Sequence, residues 1–327
     1  MKKYVFGAIA LTVVIILAVL FSQKTVTVTD YAMNTAVSIT VKSRNPKVHA
    51  KKAMDEIKRL DALMSATSSG SDVWKINSAP AGQSVKVSEE VYGLIEFSLD
   101  ISEKTHGNFD ISVNPLCVLW DIGAQNPKVP SENDIEKAKS SVDYKSIVLN
   151  PEDKSVILAK DNMSITLGAV AKGYAADRVA EILRKEGVSD GIIDIGGNIY
   201  VIGSDKRIGI QKPFAKRGEY FHAVTVSDTS VVTSGPYERY FEKDSRIYHH
   251  IIDPKTGYPS RSDLKSVTVI CESSALADAL STAFFVAGEE KAKELADSFP
   301  QISVILLTQD DRVILYNFKG IGKKDSE

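Results

Sequence analysis

Three segments in the C-terminal half combine side chains that could hold a phosphate and move a proton. They are Thr233-Ser234-Gly235, the stretch from His249 to Gly257, and Ala277 to Thr282. Together they supply hydroxyls, imidazoles and carboxylates in turn-rich surroundings. Such groups can hold a divalent metal on a phosphate and deprotonate a nucleophile. No segment is specific by itself, because residues of these types also have purely structural roles.

Asp278 and Thr282 are four residues apart in a predicted helix, so their side-chain oxygens lie on one face. A hard cation could bind both if a backbone carbonyl and phosphate oxygens completed its shell, and magnesium suits such an incomplete protein shell. The structural alternative is that Asp278 stabilises the helix dipole and Thr282 bonds back to its own helix. Without the other motifs of the sequence, the spacing of Asp278 and Thr282 favours this structural alternative.

His249 and His250 precede an Asp-Pro-Lys-Thr-Gly turn at residues 253–257. Because side chains alternate along a strand, the two rings point to opposite sides and only one can face a site. A neutral histidine near a metal-bound phosphate can accept a hydroxyl proton, although a lone histidine more often makes structural hydrogen bonds. Asp253 is suited simply to making the turn.

The stretch from Thr166 to Tyr174 contains Gly168, Gly173 and Lys172, and we predict that it runs from a strand into a helix. Glycines allow close backbone approach, and a helix N-terminus attracts a diphosphate. The spacing is neither that of a Walker loop nor that of a dinucleotide fingerprint. A turn that needs glycine only for packing explains the stretch equally well.

Hydrophobic periodicity divides the rest of the chain into strands, with alternating apolar residues, and amphipathic helices. The predicted strands are Thr25 to Thr29, Ala36 to Val41, Gly191 to Ile195, Val224 to Val226, Val231 to Thr233 and Val267 to Cys271, with a hairpin around Asp310-Asp311. The predicted helices are Pro46 to Met64, Ser88 to a stop at Gly107, Ala171 to Glu186, Ser274 to Val286 and Glu289 to Asp297.

The order of these elements predicts an α/β (α+β) fold class: a single globular body with a mixed, largely antiparallel sheet flanked by helices, and no regular β-α-β alternation. The segment from Asn108 to Asp134 has too many Pro, Gly and Asn residues for a long element. Its apolar side chains are costly to expose, so we expect it to wrap over the core.

The N-terminus predicts a membrane anchor. Tyr4 to Phe21 is a run of 18 uncharged residues preceded by Lys2 and Lys3, at the lower end of membrane-spanning length with the positive charges inside. A cleaved signal peptide is the alternative, although no small-x-small cleavage site follows Leu17. We therefore expect an anchor in residues 1–24 and a catalytic domain in residues 25–327, outside the cytoplasmic membrane.

Charge and cysteine content exclude two classes of function. The chain has 40 basic and 42 acidic residues and a net charge of −2, which gives no electrostatic footprint for nucleic acid. Cys117 and Cys271 are the only cysteines, too few for a disulfide framework or a thiolate metal site.

Taken in order, the motifs resemble those of the FAD:protein FMN transferase family, formerly called the thiamine biosynthesis lipoprotein family. The resemblance runs from about Met33 to the C-terminus. The residues that carry it are Met33-Asn34-Thr35, Ser71-Asp72-Val73 with Ile76-Asn77, Gly107-Asn108-Phe109-Asp110 with Pro115-Leu116 and Leu119-Trp120, Ala169 to Asp177, Gly196-Gly197, Thr233-Ser234-Gly235, His250 to Gly257, and Asp278 to Thr282.

The resemblance implies magnesium-dependent cleavage of FAD and transfer of its FMN half, through a phosphoester, to a Ser or Thr hydroxyl of a target protein, with release of AMP. It implies an extracytoplasmic target flavoprotein, such as a subunit of a membrane redox complex. It also assigns roles. His250 would be the base, the magnesium ligands would be Ala169, Asp278 and Thr282, and the FAD pocket would be lined by Met33, Asn108, Phe109, Asp110, Thr166, Lys172 and Ile251.

Two residues depart from the family pattern. Asn34 stands where the family usually has glycine, so we expect the pocket beside the flavin to differ locally. In the loop from Ser65 to Ser71, Thr67 stands where many members have a tyrosine that stacks on the flavin, which removes a contact of ~0.5–1.5 kcal/mol.

The same motifs leave two other functions open. An FAD diphosphatase would use water in place of the protein hydroxyl and release both FMN and AMP. A non-catalytic flavin-binding or thiamine-related lipoprotein would need neither the metal pair nor a base, so Asp278, Thr282 and His250 argue against it.

Overall fold

The computed structural model describes residues 23–216 and 218–318. The predicted anchor from Tyr4 to Phe21 lies outside these residues. Within the described ranges, no helix is both long enough and apolar enough to cross a membrane.

The centre of the fold is an eight-stranded sheet in the order β1-β2-β6-β7-β10-β13-β14-β15. All its pairings are antiparallel. Its strands are Lys24–Ala32 (β1), Thr35–Ser43 (β2), Asp190–Ile195 (β6), Asn198–Ile202 (β7), Ser230–Ser234 (β10), Leu264–Cys271 (β13), Ser303–Thr308 (β14) and Val313–Tyr316 (β15). The class α+β is confirmed, and the sheet is antiparallel rather than mixed.

Three smaller antiparallel sheets surround this one. They are formed by Ser84–Lys86 (β3), Ile147–Asn150 (β4) and Ser155–Leu158 (β5), by Lys206–Gln211 (β8) and Tyr220–Val226 (β9), and by Tyr240–Lys243 (β11) and Arg246–His249 (β12). The helices are Pro46–Met64 (α1), Asp72–Ser78 (α2), Glu89–Lys104 (α3), Asn114–Trp120 (α4), Glu132–Lys139 (α5), Ala171–Lys185 (α6), Ser274–Ala287 (α7) and Glu289–Ala296 (α8).

Both faces of the large sheet are covered, and strand alternation decides which side chain faces which layer. Along β10, Val232 packs into the main core beneath α6 and α7, whereas its neighbour Val231 packs against the β8–β9 hairpin. The large sheet therefore holds α6 and α7 on one side in a fixed position.

A separate apolar cluster supports the stretch that contains the histidines. Trp120 and Leu116 from α4 pack there with Ile252, and Tyr248 of β12 stacks on Trp120 at 5.5 Å between ring centroids. The indole N–H of Trp120 donates to the carbonyl of Gly257 at 2.8 Å. The Asn108 to Asp134 segment thus lacks a long element, as predicted, and anchors the turn after the histidines.

The strand predicted before Thr166 is wrong. β5 ends at Leu158, and the backbone of Ile165 exchanges two hydrogen bonds with the side chain of Asn77. The N–H of Thr166 donates to the carbonyl of Ile111. These partners satisfy the backbone without a neighbouring strand, so α6 is entered from a loop.

Candidate active site

Helices α6 and α7 cross at close range because Gly173 has no side chain. A Cβ atom on Gly173 would lie 2.2 Å from the carbonyl oxygen of Ser274, a distance that no real side chain tolerates. The glycine expected to permit backbone approach therefore does so, and what approaches it is a second helix. This contact brings the N-terminus of α6 beside the face of α7.

At this crossing each helix supplies a carboxylate to the N-terminus of the other. Asp278 of α7 accepts from the N–H of Gly173 at 3.0 Å, and α6 has no side-chain cap of its own. Asp177 of α6 accepts from the N–H groups of Ser274 and Ala275 at 2.7 and 3.0 Å. A carboxylate at a helix N-terminus satisfies unpaired donors and the helix dipole, so both residues have a structural role.

Asp278 also contacts the ammonium group of Lys172. Asp278 is only 3% exposed, and Lys172 Nζ lies 3.2 Å from Oδ1 and 3.4 Å from Oδ2. The same ammonium group donates to the carbonyl of Gly168 at 3.2 Å. The turn that contains Ala169 therefore lies beside Asp278, as the predicted metal set requires.

Thr282 does not bond back to its own helix. Its hydroxyl lies 3.2 Å from Oγ of Ser234 at the end of β10, and Ser234 is also 2.8 Å from Oγ of Ser281. The structural alternative for Thr282 is thus wrong. Two of the three segments singled out in the sequence, around Ser234 and around Asp278, meet at this point.

The donor set suits magnesium better than a softer metal. It offers the Asp278 carboxylate, hydroxyls of Thr282 and Ser234, and backbone carbonyls. Among the described residues, no group of three or more His, Cys, Asp or Glu side chains could hold a metal ion. Magnesium is commonly bound through one or two carboxylates together with substrate phosphates, whereas zinc sites need nitrogen or sulfur ligands.

His249 is held in a structural position. Its buried ring lies edge-on to Phe285 at 5.6 Å, Nε2 is 2.9 Å from the carbonyl of Ser260, and Nδ1 accepts from the N–H of Ile251 at 3.3 Å. Both nitrogens therefore have partners. Burial lowers the pKa of His249, which favours its neutral form.

One of the two ring nitrogens of His250 is available to accept a proton. Its Nδ1 lies 3.3 Å from the carbonyl of Arg239, which also accepts the His250 N–H. Nδ1 must carry the proton to donate to a carbonyl, which leaves a lone pair on Nε2, and Nε2 has no hydrogen-bond partner among the residues described. Burial, with the nearby charge of Arg239, lowers the pKa of His250 to about 4.

Met33 and Asn34 form the turn between β1 and β2, and both have left-handed backbones, with φ of 50° and 57°. A two-residue hairpin turn of this kind needs positive φ at both positions, and Asn adopts it more readily than most residues. Asn34 therefore accommodates the shape for which glycine was expected. The N–H of Met33 donates to Asp61, and Arg239 donates to the carbonyl of Asn34 at 3.2 Å.

Of the five remaining residues predicted to line the FAD pocket, Phe109 and Asp110 are held by contacts inside the protein. Phe109 is 3% exposed within the main core, and buried Asp110 accepts from the backbone and hydroxyl of Ser112. These side chains serve packing and local capping, so they can face a ligand only through their backbone.

The other three predicted pocket residues are Asn108, Thr166 and Ile251. Asn108 accepts from Lys255 at 2.7 Å, and burial lowers the pKa of that lysine. Thr166 accepts from the N–H of Gly168, and Ile251 is buried.

Arg239 and Lys255 were missed as site residues in the sequence. Arg239 contacts the Met33–Asn34 turn through its side chain and His250 through its carbonyl. No local sequence pattern shows that the backbone carbonyl of Arg239 accepts a hydrogen bond from the ring of His250. Lys255 had a usable signal, because it lies within the turn that follows the histidines.

Comparisons with known proteins give a consistent result. The sequence model of the ApbE family matches residues 33–306. The chain is 37% identical over 266 residues to an FAD:protein FMN transferase of Klebsiella pneumoniae (strain 342), which covers 81% of this chain and 84% of that relative. It is 33% identical over 306 residues to the FAD:protein FMN transferase of Treponema pallidum (strain Nichols), covering 87% and 84% respectively.

The fold is similar to that of a solved structure. The crystal structure of the ApbE protein of Thermotoga maritima superposes with a TM-score of 0.83 at 33% sequence identity. The superposition covers 90% of this chain and 97% of the other.

Proposed function

We propose that this chain, which belongs to the ApbE family and is an FAD:protein FMN transferase, uses the Asp278, Thr282, Ser234 and His250 region to transfer FMN. The acceptor would be a Ser or Thr hydroxyl of a target protein, and the products would be an FMN phosphoester and AMP. The observation that carries this proposal is the meeting of Asp278 and Thr282 with Ser234 beside the N-terminus of α6.

Asp278, Thr282 and the carbonyl of Ala169 would hold magnesium, with Ser234 hydrogen-bonded to Thr282 at 3.2 Å. When bound, magnesium would neutralise charge on the diphosphate of FAD. Lys172 lies against Asp278 and would turn to the diphosphate, because a phosphate oxygen is a comparable partner for an ammonium group. Met33, Asn108 to Asp110, Thr166 and Ile251 would line the rest of the FAD pocket.

His250 would accept the proton of the attacking hydroxyl at Nε2. The hydroxyl oxygen forms a bond to the FMN-side phosphorus, and the bond from that phosphorus to the bridging oxygen breaks. The bridging oxygen leaves with AMP. The lowered pKa of His250 supports this role, because a base must be neutral before the reaction.

The direct test is incubation of the protein with FAD, magnesium and purified flavoprotein subunits of membrane redox complexes. Transfer predicts a fluorescent band at the size of one subunit and one AMP per label. AMP and FMN without a labelled protein would instead identify an FAD diphosphatase. FAD binding without AMP release would identify a non-catalytic binding protein.

For localisation, we propose a cytoplasmic-membrane anchor in residues 1–24 with the catalytic domain on the extracytoplasmic side. The uncharged run from Tyr4 to Phe21 supports it. The full chain should stay with membranes after alkaline washing, and a chain that starts at Thr25 should be soluble and active. If expression of the full chain gives a soluble product that begins near residue 22, the segment is cleaved instead.

A further inference from the structure

Three aromatic rings, two of them exposed, form a cluster at the edge of the candidate site. We call Phe214, Tyr237 and Tyr240 the aromatic rim. Phe214 meets Tyr240 and Tyr237 in edge-to-face contacts, at 5.3 and 6.1 Å between centroids. Phe214 is 49% exposed and Tyr240 is 44% exposed. Exposed aromatic side chains in contact with one another are typical of protein interfaces.

Each end of the aromatic rim adjoins residues that the proposed reaction uses. Tyr237 packs over Gly235, where an added Cβ would lie 2.3 Å from the ring, and Gly235 follows Ser234. Tyr240 follows Arg239, whose carbonyl holds the backbone and ring of His250. The rim therefore borders the place where an acceptor hydroxyl must arrive.

Resting on the proposed function, we propose that the aromatic rim binds the segment of the target protein that carries the acceptor hydroxyl. Transfer to a protein requires a surface that holds protein beside His250, and the rim is such a surface. Hydrolysis of FAD by water requires none. The rim thus determines which hydroxyl is modified, and FAD is bound by the residues of the proposed FAD pocket.

Charge near the rim indicates what kind of segment binds. Residues 238–246 carry three acidic and three basic side chains, whereas Lys212 and Lys216, on either side of Phe214, are both basic. The rim is therefore bordered by net positive charge, which favours a segment with an acidic residue. The rings favour apolar or aliphatic side chains beside the acceptor Ser or Thr. Binding of the target should accordingly weaken as the ionic strength rises.

The test is a kinetic comparison of Phe214→Ala/Tyr240→Ala with the parent and with Tyr220→Ala. Tyr220 is the matched control, because it is 52% exposed on the same β8–β9 hairpin but packs across Gly209 instead of the rim. The substrates are FAD, magnesium and a flavoprotein subunit that the parent labels. The double variant should raise KM for that subunit about tenfold or more. KM for FAD, and kcat at saturating subunit, should match those of the parent and control.

Four results would overturn the inference. They are an unchanged KM for the subunit, an equal rise in the Tyr220→Ala control, a change in KM for FAD alone, and a parent dimer that the double variant dissociates in analytical ultracentrifugation. The last two would assign the rim to flavin binding or to a second copy of the chain. A parent that releases AMP but labels no protein would contradict the proposed function itself. An active parent with unaltered target kinetics in the double variant would contradict only the docking surface.

Discussion

At both ends of the α6–α7 crossing, a carboxylate of one helix caps the N-terminus of the other, but the two carboxylates differ in their donors. At one end, Asp177 accepts from Ser274, Ala275 and the Ser273 hydroxyl, all fixed donors of a helix start. At the other end, Asp278 has one backbone donor, Gly173, and one side-chain donor, Lys172. Each carboxylate accepts three hydrogen bonds, but two of those to Asp278 come from the single ammonium group of Lys172, whereas all three to Asp177 come from the start of α7.

The neighbours of the two carboxylates sharpen this difference. Asp278 shares its helix face with Thr282, whose hydroxyl meets Ser234. Asp177 is half-buried, and burial, opposed by its hydrogen bonds, raises its pKa. The crossing thus builds two caps, and the proposed metal and phosphate site uses the one whose carboxylate also contacts Lys172 and shares a helix face with Thr282.

The largest expected effect comes from Asp278→Asn compared with Asp177→Asn. Asparagine keeps an oxygen for the helix N–H groups but loses the charge that a hard cation needs. Asp278→Asn should lower magnesium-dependent transfer at least ~10²-fold. Asp177→Asn should keep most activity and lower the free energy of unfolding by about 1 kcal/mol. Steady-state rates and denaturant titrations measure both.

Thr282→Val serves as a second probe, because it keeps the shape of the side chain and removes the proposed ligand oxygen. Equal loss of activity in Asp278→Asn and Asp177→Asn would mean that both ends are structural. Normal magnesium dependence in Asp278→Asn and Thr282→Val would contradict the metal assignment.

The next effect concerns the two histidines, which differ in the same way as the two carboxylates. His250→Ala should lower transfer by ~10²–10⁴-fold with FAD binding little changed, as expected for loss of a general base. His249→Ala should instead cost about 1–3 kcal/mol of stability, because it leaves the carbonyl of buried Ser260 without its ring partner. If His249→Ala damages catalysis more, the wrong ring has been assigned.

A smaller effect is expected on the pH dependence of kcat/KM. Because the pKa of His250 is lowered to about 4, the base stays neutral above that value, and activity should fall only as the pH approaches it. Arg239→Gln removes a charge that lowers this pKa, so the acid limb should move to higher pH. An acid limb near 6.5 in the parent would indicate an unperturbed histidine.

Stability should follow the sign of the same shift. The folded pKa of His250 lies below the unfolded value, so protons bind the unfolded chain more tightly. The contribution of His250 to stability is complete above about pH 6.5 and declines as the pH falls towards about 4.

The smallest effect is expected from Thr67→Tyr. Thr67 lies in an exposed loop where its hydroxyl contacts Ser65 at 3.3 Å. A ring at this position would stack on the flavin and tighten FAD binding several-fold, about 1 kcal/mol. Fluorescence titration measures this affinity. Equal or weaker binding would show that the loop does not face the flavin.

Long elements with regular hydrophobic periodicity were predictable from the sequence. Short helices, and segments whose backbone bonds to a distant side chain, were not. α1 was predicted with its bounds because its apolar positions and Pro46 mark it throughout. The helix from Asp72 to Ser78 was missed, since seven residues show too little periodicity. Ile165-Thr166 has strand composition, but the side chain of Asn77 takes the place of a neighbouring strand.

The candidate site shows the same division. The shared helix face of Asp278 and Thr282 follows from their spacing, and the alternation of His249 and His250 follows from strand geometry. The mutual capping of α6 and α7 does not, because it joins Asp177 and Asp278 to donors about a hundred residues away along the chain. Spacing alone therefore favoured a local role for Asp278.

The most direct test of the central claim is whether magnesium strengthens FAD binding through Asp278. FAD affinity is measured by fluorescence titration with and without magnesium in the parent, Asp278→Asn and Asp177→Asn. Linkage requires that a metal bound between Asp278 and the diphosphate raise FAD affinity. We predict tighter FAD binding with magnesium in the parent and in Asp177→Asn, and no such change in Asp278→Asn. An undiminished magnesium effect in Asp278→Asn would contradict the account.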